Sequence, residues 1–107
     1  MSEQKLTEAK NLSAQLNYQD ESIVSKILIK KETGNVTLFA FDAGQGLTEH
    51  TSPYEALVFI PEGKIDIKVG GENHTVSSGE LLKLPAAIPH ALKAVEKTKM
   101  MLIMIKG

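Results

Sequence analysis

The 107-residue chain contains no cysteine, no tryptophan and no arginine; all 12 of its basic residues are lysine. Each absence excludes some chemistry. Without cysteine there is no disulfide framework and no thiolate chemistry, which fits a reducing compartment. Without arginine the chain lacks the planar, bidentate clamp preferred for carboxylates and phosphates. That weighs against a nucleotide-sugar or phosphosugar substrate. The net charge of −1 provides no field to attract nucleic acid or an anionic membrane. No apolar run approaches the roughly 20 residues of a membrane span, and the opening MSEQKLTEAK lacks the apolar core of a signal peptide. The expectation is a cytoplasmic protein that has neither nucleic acid nor a membrane as partner.

What is present reads as one all-β domain over residues 1–107. Apolar content of 42% and charged content of 23% are ordinary for a globular chain. Residues 1–11 are polar and expected to be loose. Leu12 to Asn17 and Ser22 to Lys30 read as strands, the second rich in β-branched residues. Lys31 to Asn35 is a turn and Val36 to Asp42 the next strand. A further strand is predicted over Glu55 to Ile60, ending in a Pro61-Glu62-Gly63 turn. Ile65, Ile67 and Val69 alternate with Asp66 and Lys68, a strand with one buried and one wet face. Gly70-Gly71 is a hairpin turn, and strands are predicted at about 73–78, 80–85, 89–95 and 99–106. Short strands with turn signals every eight to twelve residues, and no helical period, indicate a sandwich or barrel.

Two strands are apolar on both faces. In EALVFI, Ala56, Val58 and Ile60 point one way while Leu57 and Phe59 point the other; in MMLIMI (100–105) every residue is apolar. A second apolar face is costly in water. Either the N-terminal strands or another subunit must cover it, and a homodimer is the expected solution.

Two stretches carry the candidate chemistry. The first, residues 44–63 (GQGLTEHTSPYEALVFIPEG), places Gly44 ahead of His50 and ends at Gly63. The second lies within 79–94 and includes GELLKLPAAIPH, with Gly79, Pro85 and His90. In this order and separation they resemble the two motifs of the cupin family. The resemblance implies an antiparallel double-stranded β-helix, the jelly-roll barrel of RmlC-like proteins. It also implies that His50 and His90 occupy histidine ligand positions, that Ser52 stands where a second histidine is usual, and that Ala56 stands where a carboxylate is usual. Ala87 takes the place of a glycine and Ala94 that of an asparagine.

Cupin metal centres use three imidazoles and a carboxylate or a near equivalent, so this set implies no tightly held metal and no assignable catalytic group. The implied pocket is formed by His50, Ser52, Ala56, Val58, Ile60, His90 and Leu92, and it binds a small, largely apolar or uncharged molecule. The alternative is an enzyme (oxygenase, isomerase or decarboxylase) with iron, manganese, nickel or zinc on His50, His90 and possibly Glu55. Against it, Glu55 lies one residue off register, which on a strand means the opposite face. A second alternative is a structural or interaction barrel with no ligand. Ser52 beside His50 lacks a third orienting group and makes a weak nucleophile–base pair. His74, in the polar GGENHT stretch, is expected to be a solvated turn residue.

Overall fold

The computed structural model describes residues 7–106. Nine strands follow one short 3-10 turn (Ser13–Gln15): β1 (Ile23–Lys31), β2 (Gly34–Phe41), β3 (Gly46–His50), β4 (Glu55–Glu62), β5 (Lys64–Val69), β6 (Glu72–Ser77), β7 (Leu81–Leu84), β8 (His90–Ala94) and β9 (Thr98–Ile105). They form two antiparallel sheets, β1-β2-β9-β4-β7 and β3-β8-β5-β6. This is the expected all-β jelly roll. No helix among the described residues is long and apolar enough to cross a membrane.

The core lies between the sheets and follows the period-two pattern. Phe41, Val58, Ile60, Ile65, Ile67 and Met100 are essentially inaccessible, with Val76, Leu84, Leu92 and Ala94 packed around them. The β4–β5 turn sits tightly on the start of β9. A Cβ on Gly63, whose φ is +101°, would lie 2.4 Å from the Lys97 carbonyl oxygen. Only glycine satisfies both that conformation and that approach. The neighbouring Thr98 hydroxyl is fully buried; it accepts from Lys64 N at 3.0 Å and lies 2.9 Å from the Lys64 carbonyl, locking the two strands together.

The structure corrects several local expectations. Leu12 to Asn17 is not a strand. Ala14 N donates to both the carbonyl and the side-chain Oδ1 of Asn11, at 3.2 Å each, closing a 3-10 turn instead. Short polar side chains compete with strand ladders in this way. Gly46–His50 is an additional strand, not among those expected, and it begins at a glycine. Pro61 and Glu62 continue β4, leaving the turn to Gly63. His74 lies on β6, half-buried and 3.4 Å from Glu72, not in a turn. Residues 1–6, part of the stretch expected to be loose, lie outside the described residues.

The segment around the 3-10 turn covers part of the outer face of the five-stranded sheet. Leu38 and Ala40 alternate with the core-facing Phe39 and Phe41, so they face outward, yet both are fully buried. Their neighbours across the ladder are Lys26 and Lys99. Lys26 Nζ donates to the Gln15 carbonyl at 3.3 Å, and Lys99 Nζ donates to that of Ser13. Tyr18 OH donates to Glu62 Oε2 at 2.5 Å. Three attachments thus hold residues 13–18 over this end of the sheet. At the other end the outer face stays open: Ile29 and Ile105 are exposed, and with Val36 and Ile103 they border a shallow apolar groove.

Candidate functional site

The site is assembled where β3 meets β8. These strands pair with His50 directly opposite His90, and an irregularity between Leu47 and His50 re-aims the first histidine. The two imidazoles meet edge to face with centroids 4.4 Å apart. Each is oriented by its own backbone: His50 Nδ1 lies 2.7 Å from the Thr48 carbonyl, and His90 Nδ1 lies 3.2 Å from that of Ile88. A carbonyl only accepts, so in the neutral rings Nδ1 carries the proton and Nε2 keeps its lone pair. Among the described residues none makes a hydrogen bond to either Nε2.

Both histidines border an apolar cavity of about 110 Å³ inside the barrel, together with Phe39, Leu47, Ser52, Tyr54, Ala56, Leu84, Leu92, Met100, Leu102 and Met104. One loop-to-loop bond helps close its rim: Ala87 N donates to the Ser52 carbonyl at 2.7 Å. Ala87 adopts φ +66°, the left-handed region that favours glycine. The Ser52 side chain is half-buried, and its Oγ accepts from Tyr54 N at 3.2 Å.

Of the sequence-predicted pocket residues, His50, Ser52, Ala56, His90 and Leu92 come together at this cavity. Val58 and Ile60 do not line it. Both face inward as the alternation required, but they lie in the sealed core at 0% exposure. Facing inward decided their burial, whereas depth along the barrel decided which residues meet the cavity. Sequence reasoning missed Phe39, Leu47, Tyr54, Leu84 and the inward row Met100, Leu102 and Met104. The alternation within MMLIMI held a signal for that row: its even members share one face, and β9 is a central strand of its sheet.

The residues present do not fit the hard divalent ion of a typical cupin centre. The cavity lining includes the imidazoles of His50 and His90 but no carboxylate; Ser52 and Ala56 border it beside them. Glu55 cannot supply the missing group from where it stands. It is exposed, and its Oε2 is 3.1 Å from Lys83 Nζ. Among the described residues no three His, Cys, Asp or Glu side chains cluster.

Residues 37–106 match the Cupin_2 family, the cupin domain. The chain belongs to the cupin family. Three solved structures illustrate its relationships. A conserved protein of unknown function from Streptococcus pyogenes is 30% identical over 99% of this chain and 93% of its own, with a TM-score of 0.93. A cupin 2 conserved barrel domain protein from Leptotrichia buccalis is 39% identical over 91% of this chain, with a TM-score of 0.87. This cupin covers only 47% of the length of that protein. A cupin superfamily protein from Desulfitobacterium hafniense, 19% identical over 99% of this chain and 97% of its own, shares the fold with a TM-score of 0.92. No curated protein matches.

Proposed function

We propose that this cupin binds a small, largely apolar, uncharged molecule in its barrel, without a tightly held iron, manganese, nickel or zinc ion. The observation that carries the reading is the cavity wall: apolar side chains on nearly every side, with the imidazoles of His50 and His90 and the side chain of Ser52 among the few polar groups that border it. Such a site favours an apolar body ending in an N–H or O–H donor. It disfavours a carboxylate, because no cation stands among its lining residues. The cytoplasm is the proposed location, in keeping with a chain that has no cysteine. A second copy of the chain is the proposed partner, through the open part of the outer sheet face.

The test is ligand binding followed by NMR on metal-free protein, with phenol and benzyl alcohol compared against benzoate. The neutral donors should shift the methyl resonances of Leu47, Leu92 and Leu102, and benzoate should not. His90→Ala should weaken the neutral ligands about 5- to 10-fold, the value of one hydrogen bond of roughly 1 kcal/mol. If benzoate binds as well as phenol, or if no neutral donor perturbs the cavity, the reading fails.

A further inference from the structure

The residues that border the cavity differ in their access to water. Leu84, His90, Leu92 and Met100 are buried, whereas His50 and Tyr54 are exposed, Tyr54 at 38%. The entrance therefore lies at the end of β3 and in the 51–54 loop that follows it. The backbone of this loop is fixed. Its Ser52 carbonyl accepts from Ala87 N at 2.7 Å, Ser52 Oγ accepts from Tyr54 N at 3.2 Å, and Pro53 restricts the chain between them. The Tyr54 ring is held differently. Among the described residues none makes a hydrogen bond with its hydroxyl, whereas the Tyr18 hydroxyl is tied to Glu62. The partner of the Tyr54 ring is Lys106, whose Nζ lies 5.5 Å from its centroid. Lys106 is not part of the cavity wall, so its ammonium meets the ring from outside. The root of that lysine is anchored, because Lys106 N donates to the Thr33 carbonyl at 2.7 Å.

We propose that the Tyr54 side chain is the gate of the cavity, held closed by the Lys106 ammonium. A cation over an aromatic face at an exposed site is attracted only weakly, so the closed position is favoured without being locked. Opening requires one side chain to turn on a fixed loop and interrupts a single contact. Exposed side chains turn fast, so small molecules exchange through such an entrance without movement of either loop. The ring sets the width of what can pass, because the Ala87–Ser52 bond keeps the loops joined on either side of it. Tyr54 thus governs access and size, while other groups orient the ligand. The inference deepens the organic-ligand reading; its exchange measurement rests on that reading and its labelling measurement does not.

The labelling test needs no ligand. The protein is treated with diethyl pyrocarbonate, and carbethoxylation of each histidine is followed by mass spectrometry. His90, buried at the cavity, is the reporter, and half-buried His74 on β6 is the internal reference. Lys106→Gln, which removes the cation and keeps much of the length, should speed labelling of His90 about two- to fivefold, the range of one exposed cation–π contact. Tyr54→Ala should exceed about fivefold, since it removes the ring as well as its tether. Tyr54→Phe keeps the ring and should label as wild type, and His74 should be unchanged in all three. In the exchange test, phenol should leave Tyr54→Ala faster than wild type by NMR line shape, and the broader 2-naphthol should enter Tyr54→Ala only. The proposal is overturned if Tyr54→Ala labels His90 no faster than wild type, if Tyr54→Phe is as fast as Tyr54→Ala, or if Lys106→Gln is as slow as wild type. Equal acceleration at His90 and His74 would indicate a loosened fold and overturn it too. If phenol does not bind at all, the organic-ligand reading fails, and the labelling rates alone decide the gate.

Discussion

Ala87 shows how much one backbone angle can contribute at the edge of a site. Its φ of +66° places Cβ against its own carbonyl, a strain that glycine does not suffer. The position is nevertheless held, because Ala87 N closes the loop onto the Ser52 carbonyl. Ala87→Gly should therefore stabilise the protein by about 1 kcal/mol, the relief of strain exceeding the added freedom of the unfolded chain. Urea denaturation checks this: the midpoint should rise with an unchanged slope. A lower midpoint would mean that the alanine methyl makes a packing contact worth more than the strain. At the same scale, Glu55 illustrates a deduction that period-two alternation alone permits. One residue out of step on a strand is the opposite face, and there it pairs with Lys83.

Among the elements, the segment spanning residues 13–18 behaves as a latch on the outer face of the sheet. Lys99 is buried there at 7% exposure, which is tolerable because the Ser13 carbonyl accepts from it and Glu62 lies 4.0 Å away. Its ammonium also sits 4.9 Å from the centre of the Tyr18 ring. The hydrogen bond from Tyr18 holds the Glu62 carboxyl below its ordinary range, aided by Ser13 and Lys99 and opposed by burial. Burial, then the bond to Glu62 and its charge, hold the Tyr18 phenol above its ordinary value of 10.0.

The signs follow by linkage. A depressed carboxyl contributes stability above its unfolded value, and that stability is lost as pH falls through the folded one. A raised phenol contributes stability below about pH 10, and this is lost as pH rises through its folded value. The latch should therefore hold across the neutral range and weaken at both extremes. Tyr18→Phe should cost about 1 kcal/mol at neutral pH, flatten the alkaline loss and make the acid loss shallower. The measurement is melting temperature against pH for both proteins. Asp42, whose carboxyl is held low by the backbone N–H groups of Glu21 and Ala43, contributes acid sensitivity to both. The difference between the two curves isolates the latch; parallel curves would dismiss it.

For the whole molecule the open question is the part of the outer face that the latch leaves bare. Phe59 lies there between Met101 and Leu81 across the two ladders, and Leu57 lies beside Ile103. Ile29, Leu81 and Ile105 are exposed. An apolar surface of this extent is what a symmetric dimer covers. The native protein should scatter light as a dimer at micromolar concentration, and Phe59→Glu should give monomer or aggregate by placing a carboxylate in the proposed interface. A native monomer under those conditions contradicts the pairing.

Much of this architecture was legible in the residues alone. Alternation over 65–69 and within β4 showed which side chains face inward, since a strand's period admits only two choices. Gly63 and the Gly70-Gly71 pair marked turns because few other residues tolerate positive φ, whereas Pro61 lies within β4. The spacing from Gly44 to His50 and from Gly79 to His90 identified the fold and the two histidines. Other features required the folded chain, for the physical reason that they depend on contacts between residues far apart in sequence. Whether Leu12 to Asn17 formed a strand depended on local hydrogen bonds to Asn11 and on lysines from β1 and β9. Val58 and Ile60 share a face with Ala56, and only the closing of the barrel sealed them in while leaving Ala56 at the cavity. Met104 reaches the histidines' cavity because β9 lies between β2 and β4. Pattern along a strand fixes the side on which a residue lies; only the packing of distant strands decides what it meets there.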